Sequence, residues 1–116
     1  MVEISIKING SSWTVKVITE KQMRKQLDED QDLASGLTVF DEKTIYLDED
    51  FVDYTTIVHE LVHAYASDLH LKDTNELGLD DLEEIYASFF SAKGEKIISQ
   101  AKRILKKLHK KLEENK

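Results

Sequence analysis

The spacing of apolar residues changes once along this chain. "VEISIKI" at residues 2 to 8 and "WTVKVI" at residues 13 to 18 alternate apolar and polar positions, whereas from Asp53 onward apolar residues recur every three or four positions. A period of two lays one face of a strand on a core, and a period near 3.6 does the same for a helix. A chain that uses first one and then the other folds as α+β, with strands ahead of helices rather than alternating with them.

Between the first two runs lies "NGSS", whose Asn9-Gly10 pair suits a tight hairpin turn. Thr19 is placed to cap a short helix that begins "EKQMRKQL" and turns Met23 and Leu27 inward. "GLTVFDEKTIYLDED" reads as a second hairpin, with strands over 37–40 and 44–48. A helix over 53–70, capped by Thr55 or Thr56, carries Ile57, Val58, Leu61, Val62, Tyr65 and Leu69. After a polar loop containing Gly78, residues 80–114 read as helical, with Asp80 or Asp81 as cap. Its first part, "LEEIYASFFSAK", has a bulky stripe and a small-residue side, which predicts a buried helix; beyond Gly94 the stripe from Ile97 to Leu112 under a lysine-rich face predicts an outer one.

At 116 residues this is a single domain, residues 1–116. There is no cysteine, so any metal must be held by histidine and carboxylate. The start "MVEISIKING" lacks the basic and apolar blocks of a secretion signal, and no run approaches a membrane span, so a cytoplasmic protein with no membrane partner is expected. The net charge of -7 is uneven: from Lys93 onward nine basic residues stand against three acidic, and before it seven against twenty. An acidic body disfavours nucleic acid as the main ligand, although the lysine-rich end leaves that open; its lysines and His109 read first as a solvated face.

The stretch with chemistry in it is "VHELVHAY" at residues 58 to 65. Histidines four apart on a helix lie one above the other, so His59 and His63 can converge on one tetrahedral zinc ion. Glu60 then stands beside the metal, placed as the general base that takes a proton from a water acidified by zinc and returns it to a leaving amine. The competing reading is an ordinary helix whose two histidines and glutamate are surface residues. Against it, the trio is flanked on both sides by apolar pairs, so the helix that carries it is packed on a core. A third ligand is needed. The long form with a further glycine and histidine is excluded, because Ala66 and Leu69 occupy those positions, and His70 lies about 10 Å along the axis from His63. A carboxylate from the next helix is the remaining solution, and Glu83 and Glu84 are both available.

Over residues 36–94 the chain resembles the small gluzincin-type metallopeptidases of the ImmA/IrrE-like group: "KTIYLDED", then "TTIVHELVHAYASD", then a loop and a helix that opens with glutamate. In that family the third ligand begins a pattern resembling E-x-x-A-[ND]-x-F-A. "EIYASFFS" matches it from Glu84 through Ala87, Phe90 and Ser91, which implies Glu84 as ligand with Glu83 as the alternate. Ser88 departs from the Asp or Asn that relatives often carry, so the bond that usually orients a ligand histidine is either weaker here or supplied from elsewhere.

The resemblance implies a minimal zincin-like domain, a small sheet packed on the motif helix, that hydrolyses a protein or peptide substrate in a phage or prophage setting. It also implies a substrate strand added at the sheet edge, for which residues 44–48 are the candidate, and polar groups near the oxyanion, for which Tyr65 and Tyr86 compete with a plain core role; Trp13 reads as a packing residue. The alternative function is a zincin-fold module that binds a partner without cleaving it.

Overall fold

The computed structural model describes residues 2–27, 32–67 and 78–115. Among them, strands β1 (Val2–Ile8), β2 (Ser11–Ile18), β3 (Gly36–Val39) and β4 (Thr44–Asp48) form a sheet of order β1-β2-β4-β3. Helices α1 (Glu20–Gln26), α2 (Tyr54–Ala66) and α3 (Leu79–Glu114) complete a compact α+β fold. No helix among the described residues is long and apolar enough to cross a membrane.

The first hairpin turns through Asn9 and Gly10 at φ 49° and 82°, the left-handed pair that a two-residue loop between right-twisted strands requires. β3 and β4 form the second hairpin, and the two hairpins join through β2 and β4, which run parallel. The register stacks Val2 beside Val17 and Leu47, and Ile4 beside Val15 and Ile45, all facing α2 and α3. The opposite face is covered in part by α1, whose Met23 packs with Ile18 and Tyr46. Thr19 caps α1 in a reciprocal box with Gln22: each side chain bonds the other's backbone N–H.

Several expectations are corrected. β4 is interior, with all five residues buried, because it is paired on both sides and covered on both faces; the edge beside α2 is β3, not residues 44–48. Local pattern cannot tell which strand of a hairpin turns inward, since a long-range partner decides it. Asp53, rather than Thr55 or Thr56, caps α2: its Oδ1 accepts from Thr56 N at 2.8 Å, and a carboxylate also suits the helix's positive end. α3 starts at Leu79 after Gly78, so Asp80 and Asp81 sit in its first turn instead of capping it.

The two helices expected on either side of Gly94 are one helix of 36 residues. A helical glycine costs about 1 kcal/mol, less than the packing of Phe89, Ile97, Ala101, Ile104 and Leu108 along one unbroken stripe contributes. The first part of α3 is not buried. Phe89 faces inward, but Tyr86 and Phe90 are 49% and 60% exposed, because only one side of the helix meets α2 and the sheet.

Polar bonds lock α3 to the outer edge of the sheet. Gln100 Nε2 donates to the Lys7 carbonyl at 2.9 Å, and its Oε1 accepts from the Tyr65 hydroxyl at 2.6 Å. Further along, Lys111 Nζ donates to the Glu3 carbonyl at 2.9 Å. His109, expected to be solvated, is exposed and also donates from Nε2 to the Val52 carbonyl at 3.1 Å.

Replacing Gln100 with Ala removes a buried partner from both Tyr65 and Lys7, and is expected to destabilise the fold by about 1–3 kcal/mol per group left unsatisfied, read from chemical denaturation. A second outcome concerns Tyr46, whose hydroxyl donates to Glu42 Oε1 at 2.6 Å. That bond, burial and the Glu42 charge push its pKa from 10.0 up to about 12. The folded state holds this proton more tightly than the unfolded chain does. The stabilisation is therefore whole below pH 10 and is lost as pH rises from 10.0 to about 12. Phenolate absorbance in wild type and Tyr46→Phe should resolve that late titration, and the variant should lack the corresponding fall in stability.

Candidate metal and acid-base site on α2

α2 buries Ile57, Leu61 and Ala64 against the sheet and turns His59 and His63 outward. Four-residue spacing brings the two rings together with centroids 4.9 Å apart and planes at 70°. Their Nε2 atoms lie 3.2 Å from each other. In a metal-free state one of these nitrogens carries a hydrogen and the other accepts it. The same separation is close to the edge of a tetrahedron with metal–nitrogen bonds of about 2.0–2.1 Å, which measures about 3.3 Å. The pair thus fits two corners of a zinc site.

The described residues do not assemble a third corner. Among the described residues no group of three or more His, Cys, Asp or Glu side chains comes together to hold a metal ion. Glu83 and Glu84 are both exposed on α3. Glu84 lines a cleft of about 740 Å³ with Tyr65, Asn9 and Phe89, and neither imidazole of the pair borders that cleft. His70 lies outside the described residues.

Glu60 is the residue whose surroundings the sequence did not foretell. It is 5% exposed and sits under the edge strand, where Thr38 Oγ1 donates to its Oε1 at 2.8 Å and approaches its backbone carbonyl at 3.2 Å. Gly36 closes over it: a Cβ there would stand 2.8 Å from Glu60 Cγ and 3.0 Å from Oε2. No buried side-chain oxygen or nitrogen among the described residues lacks a partner, so Oε2, which accepts no hydrogen bond, keeps contact with solvent. One carboxylate oxygen is anchored and the other is available. The signal that could have found this arrangement is Gly36 itself, since an isolated glycine in a short strand marks a close approach by another group.

The aromatic residues divide clearly. Tyr65 is buried, and its hydroxyl is spent on Gln100; burial raises its pKa, opposed by the charge of Arg103. Tyr86 is half exposed and away from the core. Trp13 is a core residue, edge-on to Phe40 with ring centroids 6.3 Å apart.

No family model matches the chain, and neither does any curated protein or solved structure.

Thr38→Val keeps the shape of the side chain and removes the donor to a buried carboxylate, so a loss of about 1–3 kcal/mol is expected. Gly36→Ala should displace the Glu60 side chain without touching either histidine. Denaturation curves for both variants, with His59 and His63 ring signals followed by NMR, check that the effect stays at Glu60.

Proposed function

We propose that this chain is a zinc-dependent hydrolase of protein or peptide amide bonds, built on a minimal zincin-like domain, with His59 and His63 as metal ligands, Glu84 as the third and Glu60 as general base. The observation that carries the reading is the 3.2 Å separation of the two Nε2 atoms, which suits two donors to one small cation. The fit is met by the imidazole pair; Glu84 is the carboxylate that the resemblance supplies for the remaining protein position. A bound divalent cation would supply Lewis acidity to an attacking water and to the carbonyl it attacks.

The chain's own residues account for the rest. Thr38 holds Glu60 Oε1, so Oε2 is the oxygen free to accept a proton from water and to return it to the leaving amine. β3 ends the sheet directly above Glu60, which supports an extended substrate pairing along β3 with its scissile bond near α2. With Nε2 facing the metal, the orienting bond that Ser88 does not supply would be made at Nδ1, and among the described residues the one hydrogen bond to either ring is the Nε2–Nε2 contact.

A second reading is favoured by a separate observation: no acid joins the histidines among the described residues, which suits a zincin-fold module that binds a partner without cleaving it. Glu60→Gln separates the two. It should leave metal content and folding unchanged; loss of peptide cleavage supports the hydrolase, whereas unaltered function supports the binding module.

Elemental analysis of untagged protein should find close to one zinc per chain. That zinc should be lost in His59→Ala and His63→Ala, lost in Glu84→Ala, and retained in Glu83→Ala. Retention in Glu84→Ala with loss in Glu83→Ala would reassign the third ligand. A metal-free wild-type chain would remove the metallopeptidase reading altogether.

A further inference from the structure

Between β1 and α3 runs a cleft of about 670 Å³ that borders none of His59, Glu60 and His63. Lys7 comes into its lining from β1, and Lys96, Arg103 and Lys107 from α3; Ser5 and Ser99 line it as well. The three α3 cations fall on one helix face at spacings of seven and four, a row about 16 Å long. Glu95 is the one carboxylate among the described residues that line the cleft.

Among the described residues these charges are left without acidic ion-pair partners. The ion pairs among the described residues are Lys16–Glu3 and Arg24–Glu20, and neither involves the cleft. Lys7 Nζ bonds the Ser12 hydroxyl at 2.7 Å, a neutral acceptor that holds the ammonium without cancelling it. The floor is fixed, because Gln100 is tied to both Tyr65 and the Lys7 carbonyl. A chain of net charge -7 thus gathers four cations around one concavity while its excess carboxylates lie elsewhere. The result is a local positive well in an acidic molecule.

We propose that this cleft binds a small, multiply phosphorylated anion, of the nucleoside polyphosphate or inorganic polyphosphate class. A chain of phosphates matches the row: a guanidinium gives paired N–H donors to two oxygens, ammonium groups on either side neutralise the neighbouring charges, and serine hydroxyls add neutral donors. The volume is that of a small-molecule site. The acidic remainder of the surface opposes an extended polyanion, so nucleic acid is the less favoured occupant.

The test is calorimetric titration of the full chain at low ionic strength with inorganic tripolyphosphate, with ATP free of magnesium, and with adenosine. Saturable binding of tripolyphosphate and ATP alike identifies the phosphate chain as the recognised part; binding of ATP alone identifies the nucleotide; adenosine should not bind. Arg103→Glu with Lys107→Glu, and independently Lys7→Glu on the other wall, should weaken binding by about tenfold or more. Lys102→Glu with Lys106→Glu makes the same change of charge on exposed α3 residues outside the cleft, and should cost about threefold or less. Circular dichroism checks that each variant folds, and the two walls give independent variants. The proposal is overturned by absence of saturable binding, by cleft variants that bind as wild type, by an equal loss in the Lys102/Lys106 control, or by a single-stranded oligonucleotide that binds more tightly than ATP.

Discussion

Three elements far apart in sequence meet at one buried amide. Gln100 accepts from Tyr65 near the end of α2 and donates to the carbonyl of Lys7 on β1, so the sheet edge, the motif helix and the long helix are joined through a single side chain. The apolar cluster around it would tolerate small slips between these surfaces, since burial is not directional. The two hydrogen bonds are directional, and they set the height at which α3 crosses the sheet. With that crossing set, α2 packs against α3 and against β3 and β4 with its histidines outward and Glu60 inward.

What was legible in the chain follows from the range of the forces involved. The Asn9-Gly10 turn, the Thr19 cap and the inward Met23 depend on neighbours a few residues away, and each stands where local pattern put it. The pairing of His59 with His63 is equally local, a consequence of one helical turn. The parallel union of β2 with β4 depends on a contact across some thirty residues of sequence, and no short pattern encodes it. Nor does a short pattern tell that Gly94 would be carried through a continuous helix by the apolar stripe on either side of it.

The candidate site divides along the same line. "VHELVHAY" presents the imidazoles and the acid, but the environment of that acid comes from β3, through Thr38 and Gly36, which lie more than twenty residues upstream in a stretch with no catalytic signature. Burial of a carboxylate is costly unless it is bonded, and Thr38 supplies that bond while Gly36 supplies the room. Glu84, by contrast, depends on how the first turns of α3 stand relative to α2, a relation that neither helix's own periodicity contains.

The four strands end differently on their two flanks. Along β1, side chains of α3 reach over and occupy the carbonyls of Glu3 and Lys7, which blunts that border as a template for another backbone. Along β3, among the described residues, no helix side chain caps the main chain in this way. The sheet is therefore asymmetric among the described residues: its β1 border has two outward carbonyls already taken by α3, whereas its β3 border keeps its main-chain groups clear of helix side chains.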